Sequence, residues 1–160
     1  MTAEISTALD AFAPRIAARY AALVRELHSE IVAFGYLEAF NSRSYARPLR
    51  LLVHPVCTDH AINVVKLEKA ANDYAAATVK AWAAKVERKV AGIEGVCVTH
   101  MSMDGCRFSI AGTKGGKAVR IEQETILKVS SKGLPFNQFP ARIWVDGKFV
   151  PEARFEAATA

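Results

Sequence analysis

The sequence predicts an α+β fold: an N-terminal long-helix hairpin followed by a small antiparallel β-sheet of about five strands. Three observations carry this. Apolar residues keep helical spacing as far as Ala91. After Gly95 the period falls to two. Two Asp-Gly pairs, Asp104-Gly105 and Asp146-Gly147, sit between alternating runs, where tight hairpin turns form. The expected division is residues 1–93 helical, 94–151 antiparallel sheet and 152–160 a tail, together one compact domain.

Residues 1–13 hold a short helix or a loose arm. Pro14 suits the first position of the next helix. From there Ile16, Tyr20, Leu23, Val24, Leu27, Ile31, Phe34 and Leu37 trace one face, and Asn41-Ser42 ends it. The connection Ser42–Thr58 contains the apolar run Leu49–Val53, read as a short strand or as a plug for the helix pair.

The organising element is a helix from Asp59 to Ala91, capped by Thr58 or Asp59 and stopped by Gly92. Val64, Leu67, Ala71, Tyr74, Thr78, Trp82, Val86 and Val90 mark its buried face. Lys80, Lys85, Arg88 and Lys89 crowd the C-terminal part, where the helix dipole favours cations. Such a rod would be roughly 50 Å long, so a partner helix or another chain should cover part of it. A break at Asn72-Asp73 is the alternative.

In the first hairpin, Met103 should oppose Cys106, Met101 oppose Phe108 and Thr99 oppose Ile110. These form an apolar face with Cys97. Val98, His100, Ser102, Arg107 and Ser109 take the other face. A loop Thr113–Lys117 leads to a strand with Val119, Ile121, Thr125, Leu127 and Val129 on one side. Arg142–Val145 and Lys148–Val150 form the second hairpin.

A chain of 160 residues, 51% hydrophobic and 23% charged, has room for a real core and is not disordered in character. No apolar run approaches the ~20 residues of a membrane span. The N-terminus carries no basic-then-apolar leader pattern. Cys57, Cys97 and Cys106 are odd in number and read as reduced thiols in a cytoplasm. A net charge of +5 and a pI near 9.2 mildly favour acidic partners, and also serve solubility.

The strongest binding candidate is Arg43, Tyr45, Arg47 and Arg50. Guanidinium groups fork onto phosphate, and a tyrosine can stack on a base. The plainer reading is a solvated loop. Gly112-Thr113-Lys114-Gly115-Gly116-Lys117 falls one residue short of a phosphate loop and opens a strand. It reads as a hairpin tip whose Lys114 and Lys117 can touch phosphate.

His54, Cys57 and His60 have zinc-ligand types and spacing, with Cys97-x-x-His100 further on. Zinc is the one cofactor in view. Cys97 and His100, three apart in a strand, should point to opposite faces, which counts against it. His28-x-Glu30 with Cys57 departs twice from the zinc deaminase signature. Phe136-Asn137-Gln138-Phe139 reads as a sheet-end plug before a stacking platform. No complete catalytic motif is present, so a non-enzymatic role is favoured.

His28–Gly35 and Pro135–Ile143 resemble small proteins encoded by tailed bacteriophages and prophages. That group has no assigned activity, so the resemblance transfers no functional residue. It implies a bacterial cytoplasm and a role in the phage cycle. The resulting expectation is an accessory protein that binds nucleic acid or a nucleoprotein complex. The alternative is an assembly module, a homo-oligomer paired through the alanine-rich helix.

Overall fold

The computed structural model describes residues 1–34, 46–58, 61–130 and 133–160, with the backbone alone at 46–48 and 137. The fold is α+β. Two helices open the chain, α1 (Ala3–Asp10) and α2 (Ala13–Phe34). Thr2 caps α1, its hydroxyl accepting from the Ile5 N–H. Helix α2 begins one residue before Pro14, whose missing N–H falls among first-turn groups that have no helical acceptor. Its predicted face is buried from Ile16 to Ile31, but Phe34, expected on it, is 65% exposed; the continuation through Leu37 to Asn41 lies outside the described residues.

The run Leu49–Val53 is not a strand. It ends helix α3 (Ala46–Val53). Leu49 and Val53, one helical turn apart, are both fully buried with Leu23, Leu27 and Ile31 of α2. The run thus packs on α2, one member of the helix pair it was expected to plug, and its burial there rather than its own short period sets its conformation.

Helix α4 (Val64–Val90) is continuous, with no break at Asn72-Asp73; Lys69 and Asp73 pair across one turn there. Its cap is Asn63, not Thr58. Asn63 Oδ1 accepts the Lys66 N–H at 2.9 Å. Thr58 instead closes a turn on Ala61, and Cys57 bridges Ile62, so the chain becomes helical only after that turn. Asp59 lies outside the described residues. Leu67, Ala71, Trp82 and Val86 are buried as the spacing predicts, together with Ala75 and Val79. Val64, at the start, is 54% exposed. Gly92, at φ +75°, ends the helix.

Five strands form one antiparallel sheet in the order β1-β2-β3-β6-β7: β1 (Glu94–Ser102), β2 (Arg107–Lys114), β3 (Lys117–Gln123), β6 (Arg142–Val145) and β7 (Lys148–Val150). Two-residue strands β4 (Thr125–Ile126) and β5 (Asn137–Gln138) stand outside it. A 3-10 turn (Glu152–Arg154) and helix α5 (Phe155–Thr159) finish the chain.

The first hairpin departs from expectation in two ways. Met101 does oppose Phe108, but the left-handed residue of the turn is the buried Cys106 (φ 45°), not Gly105. A non-glycine residue there costs on the order of 1 kcal/mol. Second, the register shifts between Val98 and His100, so Ile110 faces Val98 and not Thr99. One extra residue on β1 reverses the sides of everything before it. Val98 therefore joins the inner row Val98–Ile110–Ile121–Ile143–Val150, and Cys97 is exposed.

The third strand stops at Gln123 and does not run to Val129. Beyond it the Thr125 N–H donates to the Gly105 carbonyl, and the Phe139 N–H to the Glu124 carbonyl. Thr113–Lys117 is tighter than a loop. Lys114 opposes Lys117 across Gly115-Gly116, with φ of +58° and +72°. Asp146-Gly147 turns the second hairpin as predicted, both residues left-handed.

The chain forms two compact units, and α4 runs from one into the other. The first comprises Met1–Phe12, Val79–Ile126 and Gln138–Ala160. In it Phe12 packs at 6.5 Å from Trp82 and 6.2 Å from Phe108 (ring centroids), and Ile110, Ile121 and Ile143 of the inner sheet row are buried. The second comprises Ala13–Thr78 and Leu127–Asn137. There Tyr20 stacks on Tyr74 at 5.0 Å, Tyr74 meets Phe136 at 6.2 Å, and the Tyr20 hydroxyl donates to the Leu52 carbonyl. No described helix is long and apolar enough to cross a membrane.

Candidate nucleic-acid interface

Alternation along each strand puts one set of side chains on the inner face of the sheet and the other set outside. The register assembles the outer set into two rows. One is Cys97–Ala111–Arg120–Trp144–Phe149, across all five strands. The next is His100–Ser109–Glu122–Arg142. The Arg120 guanidinium lies over the Trp144 ring, 4.2 Å from its centroid. Trp144 meets Phe149 edge-on at 6.2 Å, and Phe149 is 61% exposed.

Three consecutive strands therefore present a guanidinium, an indole and a phenyl ring as one platform. Arg–Trp stacking of this kind is favourable and holds both planes fixed. The electrostatics around it are graded. Arg120 reaches Glu122 at 3.5 Å, and Arg107 donates to Glu124 at 2.7 Å, which raises the already high arginine pKa. Arg142 is exposed and joins no ion pair among the described residues. The surface offers an exposed ring face for stacking and a cation beside it for phosphate.

The residues singled out in the sequence are placed differently. Arg43 and Tyr45 lie outside the described residues, and of Arg47 only the helical backbone is described. Arg50 is exposed in the last turn of α3. Lys114 and Lys117 are committed within the molecule. Lys114 Nζ donates to both Glu156 carboxylate oxygens at 2.7 Å and stands 4.9 Å above the Phe155 ring. Lys117 Nζ donates to the Ala158 carbonyl at 2.8 Å and the Ala160 carbonyl at 3.2 Å. A lysine bonding the last carbonyls of a helix serves as its C-terminal cap. These two hold α5 on the β2–β3 turn. Arg50 belongs to the second unit and the two lysines to the first.

Of the zinc candidates, His54 is exposed in a turn and His60 lies outside the described residues. Cys57 is half-buried, and burial pushes its thiol up, away from the thiolate a metal needs. Cys97 and His100 were expected on opposite faces. The bulge between them puts both on the outer face, opposite Ala111 and Ser109. No group of three His, Cys, Asp or Glu converges as a metal site among the described residues. His28 and Glu30 sit near the end of α2, both half-buried. Phe136 is buried with its ring 6.2 Å from that of Tyr74 on α4, while Phe139 is 43% exposed.

Sequence reading missed Arg120, Trp144 and Phe149. The pairing of Trp144 with Phe149 was within reach, because an Asp146-Gly147 turn sets those two opposite each other. Adding Arg120 requires the β3–β6 pairing, which joins strands separated by an irregular segment. Comparison with protein-family models, curated proteins and solved structures gives no match to this chain.

Proposed function

We propose that the protein is a non-enzymatic accessory factor that binds single-stranded nucleic acid on the outer face of its sheet. One observation carries this reading: Arg120, lying over the half-buried Trp144 ring, and the exposed Phe149, edge-on to that ring, form one cluster on three adjacent strands. Bases stack on exposed aromatic rings regardless of sequence, at about 1–3 kcal/mol each. Arg142, opposite Glu122 in the next row, is an exposed cation with no ion pair among the described residues, and the net charge of +5 favours a polyanion. On this reading the phage-protein resemblance implies a bacterial cytoplasm as the compartment.

The test is fluorescence anisotropy with a labelled single-stranded oligonucleotide over a salt series. Phe149→Ala should weaken binding about 5- to 150-fold, one lost base stack, without moving the thermal midpoint far. Arg142→Gln should lower the salt slope by about one phosphate contact. Unchanged affinity in both variants overturns the sheet-face reading. Loss confined to a triple Arg43, Arg47, Arg50→Ala variant assigns binding to that segment instead.

A second reading has one supporting observation. Ala77, Ala81 and Ala84 on α4 are exposed along one stripe, which lets another helix approach closely. Light scattering decides it: a dimer that Ala81→Glu dissociates supports assembly through α4, and a strict monomer ends it.

A further inference from the structure

We propose that a cleft in the first unit binds a small organic anion carrying an aromatic or apolar body. The cleft holds about 540 Å³, the size range of small-ligand sites. It lies apart from the outer sheet face. One wall is the C-terminal part of α4, where Lys85, Arg88 and Lys89 fall on successive turns. Its apolar lining is Phe139, Pro140 and Ala141, with the nearly buried Ile143 and Phe155 among them.

The charges do not balance. Lys89 is neutralised by Glu152, at 2.6 Å. Glu156, the other acid on the rim, is held by Lys114. Among the described residues Lys85 meets a neutral amide and no acid, donating to Gln138 Oε1 at 3.0 Å. Arg88 is exposed and joins no ion pair among the described residues. Two cations, Lys85 and Arg88, one turn apart, thus share the cleft with its apolar lining.

The floor is fixed before any ligand arrives. The Gln123 side-chain amide donates to the Phe139 carbonyl at 2.7 Å, tying the β5–β6 connection to the sheet. Ile143 and Phe155 are 2% and 6% exposed, so neither ring nor branch has to be ordered on binding. An anion bridging Lys85 and Arg88 would direct its attached body onto Phe139, which is 43% exposed. A carboxylate or a phosphate monoester satisfies the guanidinium fork equally well. A fully apolar ligand would leave both cations desolvated, and a bare inorganic anion would leave the apolar lining unused.

The experiment titrates the full chain, followed by NMR shifts of the α4 and β6 amides, with phenyl phosphate, benzoate, benzyl alcohol and inorganic phosphate. Saturable binding of phenyl phosphate or benzoate is expected, and their ratio identifies the preferred headgroup. Benzyl alcohol and inorganic phosphate should each bind at least about tenfold more weakly. A Lys85→Gln/Arg88→Gln double variant should lose at least about tenfold, while Phe149→Ala binds like the parent. Both substituted residues are exposed, and an unchanged unfolding midpoint confirms that the fold is kept. Equal binding of the neutral alcohol, undiminished binding by the double variant, or no saturable binding of either aromatic anion overturns the proposal.

Discussion

The contact between helix α5 and the β2–β3 turn can be isolated by two neighbouring substitutions. Gly115 and Gly116 both have left-handed backbones, so alanine at either strains the turn by about 1 kcal/mol. Their surroundings differ. A Cβ at Gly116 meets nothing within 4 Å. A Cβ at Gly115 would stand 2.0 Å from the Thr159 carbonyl oxygen, a backbone atom that cannot swing aside. Helix α5 must then lift. Lifting exposes Phe155, worth about 1.5–3 kcal/mol, and strips Lys117 of its carbonyl acceptors. Gly116→Ala should therefore cost about 1 kcal/mol and Gly115→Ala about 2.5–4 kcal/mol. With a urea slope of about 2 kcal/mol per molar, the midpoints fall by about 0.5 M and about 1.2–2 M. Both tryptophans, Trp82 and Trp144, lie in the same unit as the turn, so their fluorescence follows its unfolding. Equal losses in the two variants would refute the claim that the close approach of α5 sets the cost.

Three further outcomes follow from the packing. Asn63→Ala removes the Oδ1 acceptor at the start of α4 and should lower stability by about 1 kcal/mol in denaturant melts, with Asn63→Asp retaining most of it. Leu49→Ala empties a fully buried site among Leu23, Leu27 and Ile31 and should cost about 2–5 kcal/mol. Leu51→Ala, at 67% exposure two residues on, should stay within about 0.5 kcal/mol, and comparable losses at both would contradict the helical assignment of α3. Burial pushes Tyr74 up to about 12 and Tyr20 up from 10.0, the latter helped by nearby Cys57. The folded chain then keeps protons that the unfolded chain releases above its ordinary tyrosine pKa. Stability contributed by these phenols is complete below pH 10 and is lost as pH rises towards 12, which an ultraviolet titration of tyrosinate run alongside urea melts will show.

Much of this fold was legible because local chemistry and long-range packing agree. The face of α4 from Leu67 to Val86 follows from spacing alone, and Asp146-Gly147 dictates its own turn. Where they disagree, the sequence misled. Thr58 is as good a cap as Asn63 in isolation, but its bonds go to Ala61, a preference set by the turn that Cys57 and Ile62 close. Leu49–Val53 is too short for its period to show, and only its burial beside α2 distinguishes helix from strand. The bulge at Val98–His100 inserts one residue with no glycine or proline to announce it, so Cys97 and Val98 exchanged sides unseen. The candidate interface shares this origin. Arg120, Trp144 and Phe149 are ordinary strand residues until three strands are set side by side. Lys114 and Lys117 looked available because the helix that claims them lies about 40 residues away in the chain.

Strand β1 forms one border of the sheet, and its register slips twice, between Glu94 and Cys97 and again between Val98 and His100. An unbroken border would offer a regular ladder of unpaired amides and carbonyls on which a second molecule could template. Each slip bends the strand and spoils the spacing of that ladder. A crowded solution of this protein is thereby protected from growth by strand addition along β1, although the border carries little side-chain charge of its own.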